Sequence, residues 1–81
     1  MGSGKSQGDP MNAERVAVVS SRLATVSYDE EARTLEVETK RGHRYRYTGV
    51  PPAIFRELMG ASSKGRYYLR SIRGVFPRQE L

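Results

Sequence analysis

Arg66, Arg70 and Arg73 recur at steps of four and three, the spacing that gathers side chains on one side of an α-helix. Arg44 and Arg46 stand two apart, which places both on one face of a β-strand, with Lys40 and Arg41 just ahead of them and Lys64 opening the C-terminal segment. Of the ten basic residues between positions 40 and 78, eight are Arg. A guanidinium is always charged, offers a planar fork that grips phosphate through parallel hydrogen bonds, and stacks on bases, so this pattern points to polyanion recognition. Tyr45, Tyr47, Tyr67 and Tyr68 lie among these cations. Aromatic rings beside a basic track hold single strands, each stacked base contributing roughly 1–3 kcal/mol. Tyr67, between Lys64 and Arg70, is the candidate stacking residue; Tyr45, Tyr47 and Tyr68 are read as core, because the chain has no Trp and only Phe55 and Phe76 as other large rings. The candidate nucleic-acid-binding set is therefore Arg66, Arg70, Arg73, Arg44, Arg46, Lys64 and Tyr67.

Catalytic chemistry finds no comparable constellation. The absence of Cys excludes disulfides, thiolate metal sites and cysteine nucleophiles. A lone His43, placed in a turn, has no recognisable carboxylate or nucleophile arranged around it. Asp29-Glu30-Glu31 reads as a solvated bend, since adjacent carboxylates do not converge on a cation unaided. Ser62 and Ser63 read as a helix cap, and Gly4-Lys5-Ser6 lacks the earlier Gly and flanking strand and helix of a phosphate loop. No enzyme activity, metal or cofactor is expected.

The charge is unevenly spread. The 81 residues carry a formal net charge of +5, yet residues 40–78 hold ten basic side chains against one acid, Glu57, while residues 1–39 hold four against seven. Such a footprint draws polyanions without dictating the fold. Val16-Ala17-Val18-Val19 is the longest apolar run, far short of the roughly 20 residues that cross a bilayer. No membrane association is expected, and cytoplasmic residence is the default expectation, as is a monomer.

Positioning these groups requires a small α+β domain. Residues 1–12 are rich in Gly, Ser and Pro with almost no apolar content, which reads as a disordered arm or tag remnant ahead of a single domain over 13–81. Alternation predicts short strands over 16–19, from Leu23 to Tyr28 with Ala24, Val26 and Tyr28 on one face, over 34–39 with Leu35 and Val37 opposite Glu36 and Glu38, and over 43–48 with Tyr45 and Tyr47 opposite Arg44 and Arg46. Pro51-Pro52 opens a helix whose Ile54, Phe55, Leu58 and Met59 share one side, ended by Gly60. Ser62-Ser63 caps a second helix over 64–73, ended by Gly74, with Gly65, Tyr68, Leu69 and Ile72 as its anchoring stripe. The predicted architecture is an antiparallel meander of three to four strands with two helices packed on one face.

This order of features resembles the KTSC domain, a small family named for its place at the C-terminus of some lysyl-tRNA synthetases and also found alone in bacteria and phages. The resemblance covers about Val19 to Pro77 and rests on Ser20-Ser21, Tyr28-Asp29, Leu35-Glu36-Val37, Tyr45-Arg46-Tyr47, Val50-Pro51-Pro52, Ser63-Lys64-Gly65-Arg66-Tyr67-Tyr68 and Ile72-Arg73. It does not imply catalysis, and RNA binding is suggested by the company of a tRNA synthetase. Two positions depart from the family pattern: Ser27 stands where Gly is frequent, and Leu69 where Asn is common. Were that Asn a base-reading group, this chain would be left with backbone and stacking contacts. The functional expectation is nucleic-acid binding, of RNA or a single strand. The alternative is a protein-interaction module in which the arginines grip an acidic partner around an apolar centre of Tyr67, Phe76 and Leu81.

Overall fold

The computed structural model describes residues 15–81. The expectation of an N-terminal arm over 1–12 lies outside the described residues. From there the chain runs β1 (Val16–Ala17), β2 (Leu23–Asp29), β3 (Thr34–Thr39), β4 (Arg44–Tyr47), α1 (Pro52–Gly60), α2 (Lys64–Ser71) and β5 (Arg78–Glu80). The strands form one antiparallel sheet in the order β1-β2-β3-β4-β5. An α+β meander with two helices is thus present, and it gains a fifth strand. After the helices the chain returns to pair Tyr45 with Glu80, Arg46 with Gln79 and Tyr47 with Arg78. Arg78-Gln79-Glu80 carries no apolar alternation that would announce a strand; its backbone pairing with β4 makes it one.

The sheet buries one face. Leu35 and Val37 alternate inward with Val26, Tyr47 and Tyr45, and Leu58, Tyr68 and Ile72 close over them from the helical side. The register slips between Leu23 and Thr25, and this irregularity turns Leu23, fully buried, into the core in place of Ala24. A strict period of two over 23–28 cannot anticipate that shift. In α1 only Leu58 is fully buried, with Ile54, Phe55 and Met59 half-buried against the core and Ala53, Arg56 and Glu57 exposed. The Phe55 ring stacks on Tyr28 at 4.9 Å, and the Tyr28 hydroxyl donates to the Val50 carbonyl.

Gly65 explains how α2 sits so close to the β1–β2 loop. A Cβ at this position would lie 3.2 Å from Ser20 Oγ and 3.4 Å from Arg22 Cβ, so a bare Cα permits the approach. Ser20 Oγ accepts from the backbone N–H groups of Arg22 and Leu23, which holds the loop in register beneath the helix. The helix starts at the Ser63 cap, whose Oγ accepts from the Arg66 N–H. It ends earlier than its sequence pattern suggests: Ile72 has left helical dihedrals (φ −123°, ψ −57°), the Arg73 N–H reaches back to the Tyr68 carbonyl, and Gly74 takes a left-handed φ of +81°. Among the described residues, no helix is long and apolar enough to cross a membrane.

Candidate nucleic-acid interface

The two faces of the sheet treat their arginines differently. On the face away from the helices, Glu36 is nearly buried and holds Arg46 through Nε at 2.9 Å and Nη2 at 2.8 Å. Arg44 and Arg15 approach the other carboxylate oxygen at 3.6 and 3.8 Å. Arg44 and Arg46 therefore form a carboxylate-centred network rather than the outward cationic face that alternation alone suggests. The cause is register: Glu36 lies directly opposite Arg46, and Glu38 opposite Arg44.

The early end of α2 separates its three arginines. Arg66 and Arg70 remain exposed on the helix, and no carboxylate among the described residues pairs with them. Arg73 leaves the helix and turns to a hollow of about 520 Å³ at the end of the sheet where the β1–β2 loop and the β3–β4 turn meet. Arg22, Lys40, Arg41, Arg73 and Arg78 line it together with His43, and no carboxylate is present among its described lining residues. Four separate segments supply these cations. Lys40 and Arg41 come from a turn closed by Thr39 and His43 backbone hydrogen bonds, with Gly42 at a φ of +93°. His43 also lies 3.7 Å from Glu80, both side chains being well exposed.

Aromatic groups set the inner wall. Tyr45, half-buried, and Tyr68, almost fully buried, both line the hollow. The Tyr47 and Tyr68 hydroxyls share a hydrogen bond of 2.6 Å, their rings meeting edge to face at 5.9 Å. Burial, reinforced by this bond, pushes the Tyr68 phenol pKa upward, so it stays protonated. The Arg78 guanidinium lies 4.2 Å from the Tyr45 ring centroid and points Nη1 to the Tyr47 hydroxyl at 3.5 Å. It is thereby positioned while most of its donors stay open.

Tyr67 and Lys64 are placed elsewhere. The Tyr67 hydroxyl donates to Glu57 Oε1 at 2.7 Å, tying α2 to α1, and desolvation followed by the Glu57 carboxylate raises its pKa. Lys64 Nζ donates to the Ala61 carbonyl at 3.2 Å. The apolar centre imagined for an acidic protein partner is also dispersed: Tyr67 and Phe76 pack against the core, and Leu81 is exposed. A second hollow, of about 920 Å³ at the opposite end of the sheet, has Glu30, Glu31, Arg33 and Arg56 along its rim and so no single sign. There Asp29 accepts from the Ala32 N–H and closes the β2–β3 turn, and no group of metal-ligating residues forms among the described residues.

Arg22 and Arg78 are the basin residues that helix and strand periodicity do not single out. Only their nearness to the Lys40–Arg41 turn in the folded chain recruits them.

Comparison with known proteins agrees with this architecture. The KTSC domain family model matches residues 19–76, and the chain belongs to that family. An uncharacterized protein of Stutzerimonas stutzeri is 46% identical over 55 residues, covering 68% of this chain and 78% of that protein. A lysine–tRNA ligase of Nostoc punctiforme is 36% identical over 61 residues, which is 75% of this chain and 11% of the ligase. The crystal structure of a KTSC domain protein from Yersinia pestis superposes with a TM-score of 0.80 at 36% identity, covering 85% of this chain and 97% of that one.

Proposed function

We propose that this domain is a non-enzymatic module that binds nucleic acid, RNA or a single strand, at the basin between the β1–β2 loop, the β3–β4 turn and the end of α2. One observation carries the reading: five cationic side chains surround a single hollow without a carboxylate among its described lining residues, while the back-face arginines are spent on Glu36. Potential in a concave site of one sign is focused, which raises the local concentration of polyanions and their on-rate. Arg66 and Arg70, exposed on α2, extend the positive surface. The kinship with a segment of lysine–tRNA ligases supports RNA as the polyanion, since that segment belongs to proteins whose substrate is a tRNA.

Binding of a tRNA and of a short oligonucleotide, measured by fluorescence anisotropy across a salt series, tests this. Engagement of all five basin cations gives log affinity falling against log salt with a slope of about −3.5 to −4.5. Affinity independent of salt, or no binding at low salt, rejects the reading. Capture of a partner that survives nuclease treatment would turn it toward an acidic protein.

A further inference from the structure

Resting on that reading, we infer that the basin recognises the phosphorylated end of a strand rather than its internal backbone. The charge density of the hollow is the first reason. Each internal phosphodiester brings one negative charge and two non-bridging oxygens, so an internal stretch meets Arg22, Lys40, Arg41, Arg73 and Arg78 together only by bending several consecutive phosphates into one hollow. A phosphomonoester carries about −1.5 to −2 at neutral pH and three strong acceptor oxygens, and a terminal polyphosphate carries more. Such a group takes up several convergent cations at once.

Shape is the second reason. The cations arrive from four segments around one hollow of about 520 Å³, a size within the roughly 300–1,000 Å³ of sites for single small molecules. Tracks for internal nucleotides instead present successive open rings for stacking. Here the half-buried ring in the hollow, Tyr45, already lies against the Arg78 guanidinium, and Tyr67 is turned to Glu57. The Tyr45 ring and the Tyr47 hydroxyl hold Arg78 in place before a ligand arrives, which lowers the entropic cost of a multidentate grip on one phosphate.

The test uses the full chain and one short RNA sequence prepared with a 5′-phosphate, a 3′-phosphate or hydroxyls at both ends, with a free mononucleotide as competitor. Either phosphorylated end is expected to bind about tenfold tighter than the hydroxyl form, from charge-assisted bonds to the added oxygens. Arg73→Ala and Lys40→Ala should each abolish that preference, while Arg46→Ala, on the opposite face, should retain it. Equal, salt-dependent affinity for all three RNAs overturns the end-recognition proposal and leaves nucleic-acid binding intact. Absence of binding to every RNA overturns both. Competition by the mononucleotide at the same concentration as the phosphorylated RNA overturns the strand-end assignment in favour of a free nucleotide, and tighter binding of a doubly phosphorylated peptide overturns it in favour of a protein.

Discussion

Replacing Tyr47 by Phe removes one oxygen from the middle of the domain and leaves the ring in place. Tyr47 is fully buried and Tyr68 is 3% exposed, so the oxygen that Tyr68 meets at 2.6 Å has no water to replace it. The stranded Tyr68 hydroxyl should cost about 1–3 kcal/mol. Tyr68→Phe is not its mirror image, because the Tyr47 hydroxyl would keep Arg78 Nη1 as a donor at 3.5 Å. That variant should cost only about 0.5–1.5 kcal/mol. In the double variant no polar group is stranded, so its loss should fall well short of the two single losses added together. Urea denaturation of the four proteins closes the cycle; in thermal melts a loss of ~2 kcal/mol would appear as roughly 8–16 °C for a domain of this size. Strict additivity, or a larger loss for Tyr68→Phe than for Tyr47→Phe, would refute the buried hydroxyl pair.

Glu36→Gln should lower stability by about 1–2 kcal/mol, a figure held down by the partial exposure of its arginine partners. Unchanged stability in urea melts would show that the clustered Arg15, Arg44 and Arg46 side chains do not depend on this carboxylate. Gly65→Val should cost about 1–3 kcal/mol in urea melts by driving α2 off Ser20 and Arg22, and a stability equal to wild type would show that the close approach is not needed. Alkaline pH should destabilise the fold through Tyr68. Its folded-state pKa is raised by burial, so the unfolded chain loses this proton first: the contribution is full below about pH 10 and fades at up to roughly 1.4 kcal/mol per unit as pH rises toward the folded value. Comparing urea midpoints at pH 9 and 11 for wild type and Tyr68→Phe isolates the effect, which is absent if both proteins weaken in parallel.

The elements were readable in the sequence wherever one face alone had to be apolar. Leu35 and Val37 against Glu36 and Glu38 announce β3, and the Ile54, Phe55, Leu58, Met59 side of α1 is the side that packs. Features set by neighbours rather than by local pattern were not readable. The slip that buries Leu23 depends on pairing with β3, and β5 exists because β4 offers an edge. The candidate site divides the same way. Helical spacing of Arg66, Arg70 and Arg73 suggests one ridge, but the helix ends at Ser71 and sends Arg73 to the company of Arg22, Lys40, Arg41 and Arg78. Alternation places Arg44 and Arg46 on one strand face correctly, yet whether such a face is cationic depends on the carboxylate opposite, and Glu36 lies one strand away.

The most direct test compares two variants that remove the same charge from different places. Arg41→Ala/Arg73→Ala takes two cations from the basin, and Arg46→Ala/Arg56→Ala takes two from the back face and the far end. For RNA binding across a salt series, the first pair should weaken affinity and flatten the log–log slope by about 1.4–1.8, whereas the second should leave the slope at its wild-type value. Equal flattening by both pairs would mean that net charge, and not the basin, draws the polyanion.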